Sequence, residues 1–436
     1  MSGKDSFKIL QKFFKPKTIE KIEDIKGYTI KYGNIVNKNN IVDEVLVSYF
    51  RSPKSYTTEN MCEINSHGGI VIMKKILELC LENGAELAEP GEFTKRAFLN
   101  GRIDLLQAES VIDIIDAKSE KEAQAGIKQL EGFLSKKIKK IKKELMDLIV
   151  KMEVSIDYPE YDVEEVTTEE IRKILENVEE ELKKLEKSFD SGKIIKEGVK
   201  TAIIGKPNAG KSSLMNAILK EDRAIVTQYE GTTRDTIEEF VNINGIPMKL
   251  IDTAGIRDAK DEVEKIGIAK SREIAKNSDL IIAIFDSTKD LEEEDLEILD
   301  IVKNKNVIIV LNKIDLKNKI DETNEEFKKI KDKIIKISAL NNIGIEKIYN
   351  KINEMFNLNE LQTDEGVMLT NVRHKKLITK AIKNIKEAQE TVNKKMPVDI
   401  ISINIKNILE NLNIITGEEI TEEIINEIFS KFCLGK

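Results

Sequence analysis

The sequence contains no tryptophan, only two histidines and only three cysteines. The cysteines, Cys62, Cys80 and Cys433, are odd in number and form no CxxC pair, so a reducing compartment is expected. The histidines, His67 and His374, are far apart in the chain, which disfavours a zinc site and favours structural or surface roles. With 7 prolines and 22 glycines, the chain is neither collagen-like nor of disordered composition.

Long apolar runs and an excess of positive charge are also missing. No run approaches the ~18 apolar residues of a membrane span, and the chain starts without a signal-peptide core. We therefore expect a cytoplasmic protein that does not contact a membrane. The 70 Lys and Arg residues are outnumbered by 78 Asp and Glu residues, which argues against nucleic-acid binding by bulk charge but leaves local basic patches open. With 436 residues, 40% of them hydrophobic, the chain can form roughly two to four domains.

Short β-rich runs occur in two parts of the chain. In residues 1–100 they include Tyr28–Lys31 and Val45–Phe50, separated by Gly, Pro and Asn breaks, which predicts a small α+β unit. In residues 198–357 apolar runs alternate with helical stretches, as in an α/β domain with buried parallel strands. The predicted strands there are Val199–Ile204, Leu280–Phe285, Val307–Leu311 and Ile334–Ile337, with an antiparallel hairpin formed by Phe240–Asn244 and Met248–Ile251.

The remaining segments have helical texture. One helix is predicted to begin near Thr167, where Thr167 and Glu170 form a capping box, and to end before Gly192. Helical texture returns from about residue 358, so an α/β domain is predicted to be inserted into a helical domain. The predicted fold is multidomain: an α+β domain at 1–100, a helical domain split between 101–197 and 358–436, and a Ras-like α/β P-loop domain at 198–357.

The strongest motif is GKPNAGKS, from Gly205 to Ser212. It follows an apolar strand and opens a helix, which is the context of a P-loop. Backbone N–H groups of such a loop surround phosphates, Lys211 reaches the terminal phosphates, and the Ser212 hydroxyl holds Mg²⁺. A Gly-rich turn before a helix is the alternative, and the motifs that follow disfavour it.

Three later motifs occur in the order typical of GTP-binding proteins. In the DTAG motif at 252–255, the Asp252 carboxylate can reach Mg²⁺ through water and the glycine N–H can sense the γ-phosphate. In the NKID motif at 312–315, Asp315 can accept hydrogen bonds from N1–H and the 2-amino group of guanine. Adenine lacks both donors, so GTP is favoured over ATP. The SAL motif at 338–340 would support the base.

Residues 227–235 occupy the first switch, where Thr233 is predicted as the second Mg²⁺ ligand. Ile256 stands where a Ras-like enzyme has the glutamine that orients water, so hydrolysis must be arranged differently. The predicted GTP-binding residues are Asn208, Ala209, Gly210, Lys211, Ser212, Ser213, Thr227, Gln228, Tyr229, Glu230, Gly231, Thr232, Thr233, Asp252, Thr253, Ala254, Gly255, Asn312, Lys313, Asp315, Ser338, Ala339 and Leu340.

The sequence resembles the MnmE (TrmE) family of tRNA-modification GTPases. The resemblance lies in YTTEN at 56–60, HGG at 67–69, PGEFTKRAFLNGRID at 90–104, the GTPase motifs, and FCLGK at 432–436. It implies a folate-binding N-terminal domain, a split helical domain and an inserted G domain. It also implies a homodimer that works with the flavin-dependent partner MnmG (GidA). Together they would add a carboxymethylaminomethyl-type group to carbon 5 of the wobble uridine of certain tRNAs.

The resemblance further implies that GTP hydrolysis is activated by K⁺-dependent dimerisation of the G domains. The implied K⁺ ligands are Asn208, Thr227, Tyr229 and Thr232. Glu264 matches the acidic residue that positions the attacking water. The alternatives are that Asn208 stabilises its loop and that Glu264 is a solvated helix carboxylate. Arg234 and Arg257 could stabilise charge instead, or form ordinary ion pairs.

A folate site is also implied, for 5-formyltetrahydrofolate or a related one-carbon folate. Glu63 would pair with the pterin edge, and Arg102 and Lys436 with the anionic tail; the alternative for Glu63 is a plain charge at a strand edge. The sequence from Met1 to Gly3 aligns with an internal family element, so the preceding strand and its folate-contacting Arg are expected to be missing.

Cys433 is predicted to face the substrate site and to act chemically; the alternative is burial as a small apolar residue. Cys62 and Cys80 are predicted core thiols. The predicted catalytic residues are thus Lys211, Glu264 and Cys433. A run of lysines from Lys136 to Lys143 could touch tRNA phosphates, although a solvated helix face is favoured.

Two other functions compete with tRNA modification. One is a ribosome-assembly GTPase of the Era or EngA type, which would use the same motifs as a timer. The other is a switch scaffold without chemistry of its own. The inserted arrangement of domains and the FCLGK ending disfavour the first.

Overall fold

The computed structural model describes residues 1–18, 25–157, 167–221, 239–243, 246–250, 267–303, 305–320, 334–356 and 368–435. The chain forms two compact units. The first comprises Met1–Ile112, Gln129–Ile171 and Asn384–Lys436, and the second comprises Asp113–Lys128 and Arg172–Lys383. Among the described helices, none is long and apolar enough to cross a bilayer.

The first unit begins with an antiparallel sheet and two helices. The elements are α1 (Ser6–Gln11), β1 (Phe14–Pro16), β2 (Thr29–Asn37), β3 (Asn40–Phe50), β4 (Met61–Asn65) and α2 (Ile70–Glu82), and the strands lie in the order β1-β2-β3-β4. Along β3, Val45, Val47 and Tyr49 alternate inward and pack with the helices, as the period of two of a half-buried strand requires. Cys62 and Cys80 lie in the same core, which confirms that they are core thiols. The predicted α+β unit is confirmed.

A series of helices follows the sheet. They are α3 (Glu92–Leu99), α4 (Leu105–Ile115), α5 (Glu120–Leu130), α6 (Phe133–Asp157) and α7 (Thr168–Glu197). Asp104 and Gln107 begin α4 with reciprocal bonds of 3.1 Å between each side chain and the other's backbone N–H. Such a cap satisfies N–H groups that the first turn of a helix leaves free.

The end of α7 differs from the prediction. The helix begins as expected, with the Glu170 N–H donating to the Thr167 hydroxyl at 3.1 Å, but it continues past Gly192 to Glu197. Gly192 lies inside the helix, and the position needs glycine because a Cβ there would fall 2.2 Å from the Leu369 carbonyl oxygen. The helix stops instead at Gly198, which has the left-handed φ of +75° that favours glycine. The predicted end was wrong because close packing, not termination, explains the first glycine.

The second unit contains a six-stranded sheet in the order β10-β9-β8-β5-β7-β6. The strands are parallel except β6, which pairs antiparallel with β7. The elements are β5 (Val199–Ile204), α8 (Lys211–Glu221), β6 (Glu239–Ile243), β7 (Ile246–Leu250), α9 (Gly267–Asn277), β8 (Leu280–Asp286), α10 (Glu293–Val302), β9 (Val307–Asn312), β10 (Ile334–Lys336) and α11 (Ile345–Met355). These strands confirm the predicted parallel strands and hairpin. Strand β9 is buried along its whole length, as expected of a sheet covered on both faces.

Three helices close the chain: α12 (Val372–Asn393), α13 (Val398–Thr416) and α14 (Glu422–Phe429). The end of α14 packs on α3 through contacts among Phe98, Phe429 and Phe432. Gly91 lies beneath this cluster, since a Cβ there would fall 2.8 Å from the Phe432 Cβ. The Gly91 N–H also donates to the Cys433 carbonyl oxygen at 3.3 Å. The segment after α14 is therefore held at the N-terminal end of α3.

Candidate nucleotide-binding site

The phosphate loop, residues 205–212, leaves the carboxyl end of β5 and enters α8. It passes so close to β8 that a Cβ on Gly205 would fall 2.4 Å from the Ile284 carbonyl oxygen. Asn208 has a φ of +60° and Gly210 a φ of +105°, so the loop turns through left-handed backbone at two points. This tight path brings backbone N–H groups and the N-terminus of α8 together, which suits an anion.

Lys211 begins α8, and its ammonium group is held by the loop itself. Its Nζ donates to the carbonyl oxygens of Gly205 at 2.8 Å and Lys206 at 2.9 Å. Burial lowers the pKa of Lys211, because neutral carbonyls compensate its charge less well than an anion would. Ser212 and Ser213, in the same first turn, are exposed. Lysine, hydroxyl and N–H donors match a phosphate chain with Mg²⁺, so the described part of the loop fits both.

The guanine loop, residues 312–315, follows β9, and the support loop, residues 338–340, follows β10. Asn312, 2% exposed, connects both to the phosphate loop. Its Nδ2 donates to the Ala209 carbonyl oxygen at 2.9 Å, and its Oδ1 accepts from the Ala339 N–H at 3.0 Å. The three motifs that the sequence predicted to act together therefore meet around one buried amide.

The remaining side chains of these two loops differ in exposure. Asp315 is exposed, and so is Leu340 in the support loop, so both side chains are accessible to a ligand. Ser338 is buried, and its hydroxyl accepts from the Asn341 N–H at 3.3 Å.

Two side chains that sequence reasoning missed also support the site. Asp286, the last residue of β8, accepts a bond from Lys313 Nζ at 2.6 Å. Burial opposes its ionisation, but the bonds from Lys313 and Thr288 outweigh burial and lower the pKa of Asp286. Lys206 pairs with Asp295 and Glu292 beside α10. The only signals in the sequence were an acid at a strand end and a lysine inside the P-loop motif.

Many predicted site residues lie outside the described part of the chain. They are Thr227, Gln228, Tyr229, Glu230, Gly231, Thr232, Thr233, Asp252, Thr253, Ala254, Gly255, Glu264 and Lys436. Their roles stay predictions. Of the predicted K⁺ ligands, the described ranges contain Asn208.

The predicted folate residues Glu63 and Arg102 are exposed. Glu63 lies on β4 opposite Ser48 of β3, and the Arg102 guanidinium lies 4.5 Å from the centre of the Tyr56 ring. Cys433 is exposed, so the alternative that it is buried as a small apolar residue is wrong. Arg102 and Cys433 adjoin opposite ends of α3, a helix about 12 Å long.

The two histidines differ in exposure. His67 is exposed and pairs with Asp43 at 2.8 Å, whereas His374 is buried. Among the described residues, no group of three or more His, Cys, Asp or Glu side chains is placed to hold a metal ion.

The lysine run lies on α6, where Lys139 pairs with Asp104 at 3.3 Å and Lys142 with Glu418 at 2.6 Å. Lys136, Lys140 and Lys143 are exposed, as a solvated helix face would be.

Comparison with known proteins identifies the family. The family model for the MnmE helical domain matches residues 105–433, and that for the GTP-binding protein TrmE N-terminus matches residues 1–102. The tRNA modification GTPase MnmE of Clostridioides difficile (strain 630) is 48% identical over 438 residues, covering 100% of this chain and 95% of the relative. The tRNA modification GTPase MnmE of Thermoanaerobacter pseudethanolicus is 50% identical over 443 residues, with the same coverage.

Among solved structures, the FeoB G-domain from Methanococcus jannaschii is 28% identical and covers 36% of this chain and 98% of that chain. Its TM-score of 0.26 is too low to bear on the fold. The full-length relatives give the ribosome-assembly alternative no support. Their identity and coverage show that the chain belongs to the MnmE (TrmE) family of tRNA modification GTPases.

Proposed function

We propose that the chain binds GTP across the phosphate, guanine and support loops and hydrolyses it to drive tRNA modification. The observation that carries the proposal is the pair of bonds made by Asn312, which fixes the phosphate-binding and base-reading loops at one separation. A nucleotide whose base is read by Asp315 then places its phosphates at Lys211. Both ends of the ligand are thus held before chemistry begins.

The described side chains suggest how the phosphates are handled. When GTP enters, the Lys211 ammonium exchanges the Gly205 and Lys206 carbonyls for phosphate oxygens, which relieves the burial of an uncompensated charge. The loop N–H groups and the α8 N-terminus stabilise charge that develops on the phosphates. Ser212 and Thr233 are the proposed Mg²⁺ ligands, and the ion supplies further neutralisation of phosphate charge. Glu264 is the proposed residue that orients water.

Isothermal titration with GTP and ATP, followed by phosphate-release assays, tests GTP recognition. We expect binding and hydrolysis of GTP with little binding of ATP, and Asn312→Ala should weaken GTP binding because two buried bonds are lost. Equal affinity for ATP and GTP would overturn the base assignment.

K⁺-dependent homodimerisation of the G domains is the proposed activation mechanism, with Asn208, Thr227, Tyr229 and Thr232 as K⁺ ligands. The exposed Asn208, at a left-handed position in the phosphate loop, is the described residue that supports this proposal. Hydrolysis should need K⁺ and should rise per molecule with protein concentration. Equal rates in Na⁺ and K⁺ across a dilution series would contradict it.

The full proposed reaction takes place in the cytoplasm with the flavin-dependent partner MnmG. It adds a carboxymethylaminomethyl-type group to carbon 5 of wobble uridine. A one-carbon folate such as 5-formyltetrahydrofolate is the proposed cofactor, with Glu63, Arg102 and Lys436 as the residues that bind it. The exposure of Glu63 and Arg102 supports this site.

Mass spectrometry of tRNA from a deletion strain, with and without this chain restored, tests the modification. Restored wobble-uridine modification is expected, and its absence would refute this role. Equilibrium dialysis with 5-formyltetrahydrofolate, using Arg102→Met beside the wild-type chain, tests the folate ligands separately. Binding that is unchanged in the variant would exclude Arg102 as a ligand.

A further inference from the structure

Lys206 occupies a variable position of the P-loop motif, where the pattern asks for no particular residue. Its side chain is nevertheless 15% exposed, and its Nζ lies 2.9 Å from Asp295 Oδ2, which is 9% exposed. It also pairs with Glu292, which is 63% exposed. Exposed pairs contribute little, so Asp295 is the main partner. Burial opposes the charge on Lys206, but the bonds to both acids outweigh burial and raise its pKa.

The anchor for Lys206 is the first turn of α10. Asp295 and Glu292 form a capping box at the start of α10, in which Asp295 Oδ2 accepts from the Glu292 N–H at 3.0 Å. Farther along α10, Ile298, Leu299 and Val302 are buried in the core beside β8 and β9. A side chain bonded to this first turn is therefore bonded to a helix that packs into the buried core of the domain.

The backbone of Lys206 takes part in the phosphate loop directly. Its carbonyl oxygen accepts from the Ala209 N–H at 3.3 Å and from Lys211 Nζ at 2.9 Å. A contact that holds Lys206 in place therefore also holds the turn that presents the loop N–H groups. It also holds the carbonyl oxygen that binds the Lys211 ammonium group. A loop held in this way loses less conformational freedom when phosphate binds.

We propose that Lys206 is a positioning residue for GTP, acting through Asp295 to hold the phosphate loop in its binding conformation. The inference rests on the proposed binding of GTP by this loop. It assigns Lys206 no contact with nucleotide: the side chain acts on the loop from the α10 side. Lys206 therefore affects the phosphate end of the ligand and leaves base selection to Asp315.

A direct role for Lys206 predicts the opposite behaviour of one variant. If the ammonium group bound phosphate itself, Asp295→Asn would free it and strengthen nucleotide binding. If Lys206 positions the loop, Asp295→Asn weakens binding, because the anchor loses its charge. The asparagine can still accept from the Glu292 N–H, so the cap of α10 is retained.

The experiment uses the full chain and a fluorescent GDP analogue, with equilibrium affinity and dissociation rate measured for each variant. Lys206→Met should weaken binding about tenfold, or about 1.4 kcal/mol, mainly by faster dissociation. Lys206→Arg should restore it, and Asp295→Asn should weaken binding in the same direction. The double variant should be no weaker than Lys206→Met alone, since both changes break one interaction.

Steady-state kinetics and a matched control complete the test. Lys206→Met should raise KM for GTP with kcat within about twofold of wild type, and the preference for guanine over adenine should persist. Lys303→Met removes an exposed lysine that follows the far end of α10 and should change neither affinity nor KM.

Wild-type affinity in Lys206→Met, tighter binding in Asp295→Asn, or additive effects in the double variant would each overturn the proposal. The Asp295→Asn result decides the question even if Lys206→Met does not fold. Failure of the wild-type chain to bind any guanine nucleotide would instead overturn the proposed function.

Discussion

The wild-type chain is expected to lose stability between pH 5 and 8, and replacing Glu122 by glutamine is expected to abolish that loss. Glu122 is 6% exposed in the first turn of α5, where its Oε2 accepts from the Lys118 N–H at 2.7 Å. Burial raises its pKa to about 7, against the opposing effect of that backbone bond. Asp113 adds to the rise, whereas the charges of Lys118 and Lys196 oppose it.

The sign and size of the effect follow from this pKa. A carboxyl group with a pKa of about 7 when folded and 4.5 when unfolded binds more protons in the folded state between those values. The contribution of Glu122 to stability is therefore largest below pH 4.5, falls as the pH rises to 7, and is constant above that. At 1.36 kcal/mol for each unit, the full loss is about 3.4 kcal/mol, or roughly 300-fold in an opening equilibrium, of which roughly a hundredfold falls between pH 5 and 7.

Hydrogen–deuterium exchange of peptides from α5, corrected for the intrinsic rate at each pH, measures this opening. Protection of the wild-type helix should fall by up to roughly a hundredfold from pH 5 to 8, while Glu122→Gln should show a flat profile. Glu120→Gln, an exposed change in the same turn, should behave like wild type. Parallel profiles for wild type and Glu122→Gln would refute the assignment of the titration to this carboxyl group.

Three further results test the sites. Asp315→Asn should shift preference from guanine toward xanthine nucleotides in competition binding, because the amide offers a donor where the carboxylate accepted; unchanged GTP selectivity would show that the base is read elsewhere. Gly210→Ala should reduce GTP affinity at least tenfold, since the new Cβ would fall 2.1 Å from Asn312 Nδ2 at a φ of +105°, and near-normal affinity would show that the loop can relax. Cys433→Ser should leave K⁺-stimulated hydrolysis near wild type while sharply reducing tRNA modification; modification at the normal level would remove any role for the thiol.

Sequence patterns predicted the strands of the second unit and the loops after them because both signals are local. Runs such as Val307–Leu311 are apolar throughout, and each motif follows directly on a strand. Since parallel strands place their carboxyl ends at one edge, the meeting of the phosphate, guanine and support loops followed from topology alone.

The side-chain contacts that support the phosphate loop could not be predicted from the sequence in the same way. Lys206 and Glu292 are 86 positions apart, and nothing in either segment marks the other as its partner. The end of α7 was wrong for a related reason. Glycine at a helix end and glycine at a close crossing look identical in sequence, and only the structure shows the left-handed φ of +75° that ends the helix at Gly198 rather than at Gly192.

Gly198 has a mechanical consequence. It is the single residue between α7, which is 30 residues long, and β5, which carries the phosphate loop at its far end. A Cβ there would fall 2.4 Å from the Pro247 carbonyl oxygen, so β7 packs directly against the backbone at Gly198. Because a single residue joins the two elements, we expect rotation of α7 about its axis to be transmitted to β5. Rotation of α7 would in this way reach the phosphate loop at the far end of β5.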